Sequence, residues 1–264
     1  VNTGIMQRRA GLRKEPRIAL VAFAVMIFGM VGTPLFERGG DERRILALVV
    51  VGALFVTAVA STARVYGARA FLAAGAIVVI ALIIEVIGSS TGFPFGEYDY
   101  TGALTPQIFD VPIIVAFAWA GITLTVHGAF HHLRLGNERS ALMTRVAVMA
   151  LAITAWDLFL DPQMVAEGYW RWRPATPAFR GIPLVNYFGW LLIAVITSTV
   201  SVLTCRPVQR TVSSLPRLTY ATLAGLSTVG FLVFFDDLVV AVVGGVAMGG
   251  FTVLSFAGVR RRAE

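Results

Sequence analysis

Eight stretches, about 18–36, 45–61, 70–88, 111–130, 142–160, 183–204, 218–235 and 238–257, are apolar for long enough to cross a bilayer as helices. That leaves few folds open. A spanning helix needs about 20 apolar residues, and inside lipid every backbone polar group must be paired within the protein. The charge content agrees: 14% of residues are charged and mean hydropathy is +0.77, where soluble domains carry about 25% charged residues. The expectation is an all-α, polytopic membrane bundle of about eight helices, forming one domain over 1–264. The first apolar stretch follows a basic segment, is long and lacks a small-residue cleavage site, so it reads as a retained span rather than a signal peptide.

The net charge of +7 is a topology signal. Basic residues gather at Arg8, Arg9, Arg13, Lys14 and Arg17, at Arg64 and Arg69, at Arg134, Arg139 and Arg145, at Arg206, Arg210 and Arg217, and at Arg260, Arg261 and Arg262. With eight spans these groups share one side, which the positive-inside rule makes cytoplasmic. Both termini are then expected in the cytoplasm of a multi-pass cell-membrane protein, with 1–17 as a basic cytoplasmic segment. The arginines would meet anionic lipid headgroups, and no nucleic-acid partner is implied. The single Cys205 has no partner for a disulfide or a thiolate metal site.

The opposite face carries two long connections, about 89–110 and 161–182, rich in aromatics, Gly and Pro. Loops of such length in compact proteins are commonly functional. Two carboxylates interrupt apolar runs beside them: Glu85 after Ala76–Ile84, and Asp157 after Leu151–Trp156. A charge inside a span costs a few kcal/mol on insertion scales, so such residues usually face a cavity and serve a function. Asp157 and Asp161 are four apart and share a helix face. Pro162 is expected to end that helix, because the residue before a proline resists helical geometry. Glu85, Glu97, Asp99, Asp110, Asp157, Asp161, Asn186 and Tyr187 are thereby expected to converge at one depth. A carboxyl held in apolar surroundings can stay protonated and act as a general acid. Asp157 is the first candidate for proton donor and Glu85 the second, with Asp161 holding water or biasing its neighbour. The chain reads without an internal repeat, and 218–257 reads as a scaffold hairpin.

Two other patterns compete. Asp157-x-x-x-Asp161 resembles a Mg²⁺-diphosphate motif of membrane prenyltransferases, but no second Asp-rich motif accompanies it. His127, His131 and His132 read H-x-x-x-H-H, yet these are the only three histidines. They suit an interfacial helix end, and no metal site is expected.

Five motifs in order give the chain a family likeness: Gly92–Thr101 (GFPFGEYDYT), Val111-Pro112 with Trp119, Trp156–Pro162 (WDLFLDP), Gly168–Trp172 (GYWRW) and Gly181–Trp190 (GIPLVNYFGW). Over about 70–205 this resembles the CruF-type carotenoid biosynthesis proteins, which include hydratases. The resemblance implies a catalytic core over 70–205 that hydrates the terminal double bond of an acyclic carotenoid to a tertiary alcohol. Asp157, Glu85 and Asp161 would be catalytic, and Glu97, Tyr98, Asp99, Tyr100, Asp110, Trp119, Trp156, Asn186, Tyr187 and Trp190 would bind substrate. No cofactor is required. The implied partners are the carotenoid or a related long isoprenoid, membrane lipid and other carotenoid biosynthesis enzymes. The alternatives are a Mg²⁺-dependent prenyltransferase or lycopene elongase-like enzyme, and a non-catalytic carotenoid-binding or transporter-like protein.

Overall fold

The computed structural model describes residues 15–131, 138–205 and 213–260. Arg8, Arg9, Arg13, Lys14, Arg134, Arg206, Arg210, Arg261, Arg262 and His132 lie outside the described residues, and Arg139 and Arg260 are described by backbone alone. Among the described residues there are eight α-helices: α1 (Arg17–Gly32), α2 (Asp41–Tyr66), α3 (Ala68–Thr91), α4 (Ile113–Phe130), α5 (Glu138–Ala166), α6 (Leu184–Thr204), α7 (Leu215–Val233) and α8 (Leu238–Arg260). Seven are long and apolar enough to cross a membrane. Helix α7, with Pro216, Arg217, Thr219 and Tyr220 in its first turns, is not among them. The fold is the expected all-α membrane bundle.

Helix α4 is its hub, with 78% of its span buried against 17–44% for the other six. Small residues make this possible, since side chains without bulk let helix backbones approach closely. Ala116, Ala118, Ala120 and Gly121 line α4, and a Cβ on Gly121 would sit 3.1 Å from Leu54 Cγ and 3.3 Å from the Phe55 nitrogen of α2. Helices α7 and α8 form the expected hairpin, with Gly245 against Thr228.

Helix α5 runs through Pro162 to Ala166, which corrects the expected stop. Proline removes one intrahelical donor in the last turns, while the residues on either side remain fixed: Asp161 is bonded by Trp170, and Tyr169 N–H returns to the Met164 carbonyl at 2.9 Å.

A second correction concerns the internal repeat, which the structure does contain. The α3–α4 connection holds β1 (Tyr98–Tyr100), β2 (Gln107–Ile108) and β3 (Val111–Pro112), and the α5–α6 connection holds β4 (Trp170–Trp172), β5 (Ala178–Phe179) and β6 (Ile182–Pro183). Strands β2–β3 pair as Gln107↔Pro112 and Ile108↔Val111, and β5–β6 pair as Ala178↔Pro183 and Phe179↔Ile182. Left-handed residues fill the tips of both turns, Phe109 and Asp110 in one, Arg180 and Gly181 in the other. The Ile113 N–H bonds to the Pro106 carbonyl and the Leu184 N–H to the Pro177 carbonyl, both at 3.0 Å. Thr105-Pro106 through Trp119 thus matches Thr176-Pro177 through Trp190 at one constant displacement. Glu85, Tyr98 and Tyr100 match Asp157, Trp170 and Trp172 at a displacement one residue longer. That single-residue gap, with few identical side chains, is why the repeat escapes a sequence reading.

The two units meet around a pseudo-twofold axis. Strands β1 and β4 pair antiparallel with Tyr98↔Trp172, Asp99↔Arg171 and Tyr100↔Trp170. The ladder is extended by matching bonds, Thr101 N–H to the Tyr169 carbonyl at 3.1 Å and Arg173 N–H to the Glu97 carbonyl at 2.9 Å. The matching tryptophans, Trp119 and Trp190, stack with ring centroids 4.1 Å apart.

Candidate active site

Strand alternation sends successive side chains to opposite faces. In β1 this turns Tyr98 and Tyr100 inward and Asp99 out, and in β4 it turns Trp170 and Trp172 inward and Arg171 out. The loop before β1 is seated by two glycines. Phe95 wedges between Gly88 of α3 and Gly189 of α6, where an added Cβ would lie 2.7 Å from its ring in either case.

Glu85 is buried at the inner side of this hairpin. Tyr98 and Tyr100 hydroxyls donate to Oε2 at 2.7 and 2.8 Å, and Trp119 Nε1–H donates to Oε1 at 2.9 Å. Burial first, and then the Glu85 carboxyl, push both tyrosine hydroxyls above their ordinary range, so they remain neutral donors.

Asp157 and Asp161 are also buried. Asn186 Nδ2 donates to Asp157 Oδ2 at 2.8 Å and to Asp161 Oδ2, so one amide bridges the two carboxyls. Trp170 Nε1–H donates to Asp161 Oδ1 at 2.9 Å. Asp157 Oδ1 and Trp172 Nε1 have no hydrogen-bond partner. None of the three acids takes part in the ion pairs found among the described residues.

A cavity of about 30 Å³ lies between the acids. Its wall includes Glu85, Asp161, Asn186 and the rings of Tyr98, Tyr100, Trp119, Trp170, Trp172 and Trp190. A water needs roughly 10–15 Å³ and two to four polar partners, so this space suits one or two waters. A second, larger slot of about 150 Å³ adjoins it, largely apolar and running among α1, α2, α4, α5 and α7. Val115, Ala118, Leu160 and Trp170 line both spaces.

The sequence-predicted residues divide accordingly. Glu85, Asp161, Tyr98, Tyr100, Trp119, Asn186 and Trp190 come together on the small cavity. Asp157 stands behind Asp161, and Trp156 lines the larger slot, edge-to-face with Trp190 at 6.2 Å between ring centroids. Tyr187 is half-buried against Phe179, with its hydroxyl unpartnered. Glu97, Asp99 and Asp110 do not converge with the others. Glu97 and Asp99 lie at the exposed rim beside Arg173, at 3.1 and 3.7 Å, and Asp110 is exposed in the β2–β3 turn. Sequence reasoning missed Trp170 and Trp172 as wall residues, although their alternation around Arg171 is the signal of a half-buried strand. His127 sits in the last turn of α4, at the helix end as expected, and is buried with its Nδ1 3.0 Å from Ser201 Oγ.

The family model for "Carotenoid biosynthesis protein" matches residues 44–252, which takes in both repeat units and the site. The chain belongs to this carotenoid biosynthesis family. It is also 35% identical over 125 residues to the bisanhydrobacterioruberin hydratase of Haloarcula japonica, covering 47% of this chain and 42% of that protein. The chain thus spans less than half the length of that relative. No solved structure matches it.

Proposed function

We propose that this multi-pass membrane protein adds water, without a cofactor, across the terminal trisubstituted double bond of an acyclic carotenoid. The observation that carries the reading is the aromatic-walled cavity bearing Glu85 and Asp161, sized for water and continuous in its lining with an apolar slot. Ligand sites of this kind, apolar with a few convergent polar groups, are the usual places of binding and chemistry.

The proton comes from the Asp157–Asp161 pair. Two adjacent buried carboxyls with no cation beside them cannot both carry charge without a large desolvation and repulsion cost, so the pair holds a proton, and Asp161 presents it to the cavity. Transfer to the less substituted alkene carbon breaks the π bond and leaves a tertiary cation. The faces of Trp119, Trp190, Tyr98 and Tyr100 suit such a cation, since aromatic quadrupoles attract positive charge, and Glu85 supplies the negative countercharge. A cavity water forms the new C–O bond and gives its proton to the Asp161 carboxylate, which restores the pair. The geometry thus favours Asp161 over Asp157 as the residue that meets substrate. We place the site at the extracytoplasmic face of the cell membrane, with both termini cytoplasmic, following the arginine distribution.

The prenyltransferase reading has less support. The two aspartates of its motif accept N–H donors from Asn186 and Trp170 on three of their four carboxylate oxygens, and no second Asp-rich motif accompanies them. Pigment analysis by mass spectrometry tests the proposal: cells making an acyclic carotenoid should, on expressing the chain, accumulate a product heavier by one water per modified end. Accumulation of a product heavier by a prenyl unit would overturn it.

A further inference from the structure

The small cavity between the acids carries a polar group that bonds to neither of them. Tyr98, Tyr100 and Trp119 each give their proton to Glu85, and Trp170 gives its N–H to Asp161. Trp172 lines the same cavity, yet its Nε1 is buried and has no acceptor among the described residues. Its ring packs on Tyr98 with centroids 4.9 Å apart, and the antiparallel pairing of Tyr98 with Trp172 fixes the backbone beneath it. A buried N–H left without an acceptor is costly, and buried polar groups in native proteins are nearly always satisfied, by protein or by ordered water. The cavity of about 30 Å³ has room for that water.

We propose that Trp172 holds the attacking water, a role that rests on the hydratase reading and deepens it. A water that accepts from Trp172 Nε1–H keeps one lone pair free. It can donate its two protons to the carboxyls of Asp161 and Glu85 on the same wall, which gives it three partners, within the usual two to four. When the tertiary cation forms, the free lone pair makes the C–O bond and one O–H proton passes to the Asp161 carboxylate. A cation that meets no held water has another exit. A proton leaves a neighbouring carbon for the same carboxylate, and an alkene forms again. Trp172 thereby sets the partition between alcohol and returned alkene, after the step that makes the cation. The second repeat unit uses its spare aromatic donor on water, where the first uses the matching Tyr100 on its acid.

Turnover of lycopene in D₂O by the purified chain, read by mass spectrometry, separates the two exits. Capture by water gives a deuterated alcohol, and return from the cation gives an alkene that has gained deuterium without oxygen. In Trp172→Phe, which keeps an aromatic ring against Tyr98, the ratio of alcohol to deuterated alkene should fall about tenfold, the weight of one hydrogen bond. Both products come from the same folded molecules, so loss of folded protein does not move this ratio. Trp172→His, which keeps a ring N–H, should hold a higher ratio than Trp172→Phe. A wild-type ratio in Trp172→Phe at any total turnover, or equal ratios in the two variants, would overturn the water site and leave the hydratase reading standing. A wild-type chain that forms neither product would overturn the hydratase reading, and the water site with it.

Discussion

The two repeat units share a backbone but treat their acids differently. In the first, Glu85 takes three donors, Tyr98, Tyr100 and Trp119, one from each matching position of its own unit. In the second, the corresponding Trp170 passes over Asp157 to reach Asp161, Trp172 has an unused N–H, and Asp157 is left with Asn186 and one unpartnered oxygen. One half therefore holds a saturated carboxyl, suited to a fixed countercharge, and the other an under-saturated pair, suited to moving a proton. Assigning different roles to two carboxyls by different surroundings is a general route to acid–base chemistry. Here the asymmetry is written onto a symmetric frame.

The sharpest way to break this comparison is to neutralise each acid in turn. Asp161→Asn should lower hydration by about 10²–10⁴-fold, the usual contribution of a general acid, with the purified protein still monodisperse in detergent. Glu85→Gln should cost about 10²-fold, typical of removing a group that stabilises developing charge. Asp157→Asn, which changes a residue behind the cavity wall, should cost about tenfold, and a larger loss than that of Asp161→Asn would reverse the assignment within the pair. Tyr100→Phe sharpens the picture at smaller amplitude. It removes one of three donors to Glu85, and a few-fold drop is expected, since a hydrogen bond to a charged group is worth about 1.5–3 kcal/mol and two others remain. At the bottom of the scale, Arg173→Gln breaks the exposed pairs with Glu97 and Asp99. Turnover should not change, and thermal unfolding should register about 0–1 kcal/mol, as for other surface ion pairs.

The helical spans were legible because lipid imposes a length and an apolar composition that few other constraints imitate. Glu85 and Asp157 were legible for the converse reason, as charges interrupting such runs. Asp99 and Asp110 were misassigned because proximity in sequence to an acid cluster says nothing about which strand face or turn tip a residue occupies. The repeat was hidden because the frame is kept by backbone features, left-handed turn tips and short ladders, which many side chains can satisfy. Arg43 and Glu167 are distant in the chain and are brought together only in the folded bundle. Neither looked different from the other charged residues near span ends. Among the arginines of the acid face, Arg43, Arg44, Arg173 and Arg180 are paired with Glu167, Asp41, Glu97 and Asp237, while Arg38 donates to the Phe234 carbonyl and Arg171 is exposed.

The central claim is that a carboxyl proton and a cavity water add across one double bond. Turnover of an acyclic carotenoid by the purified protein in H₂¹⁸O and D₂O, read by mass spectrometry, tests it most directly. The account predicts one oxygen-18 on the new tertiary alcohol and one solvent deuterium fixed on the adjacent carbon, with both labels lost together in Asp161→Asn. Oxygen drawn from dioxygen, or an alcohol formed without a carbon-bound deuterium, would contradict it.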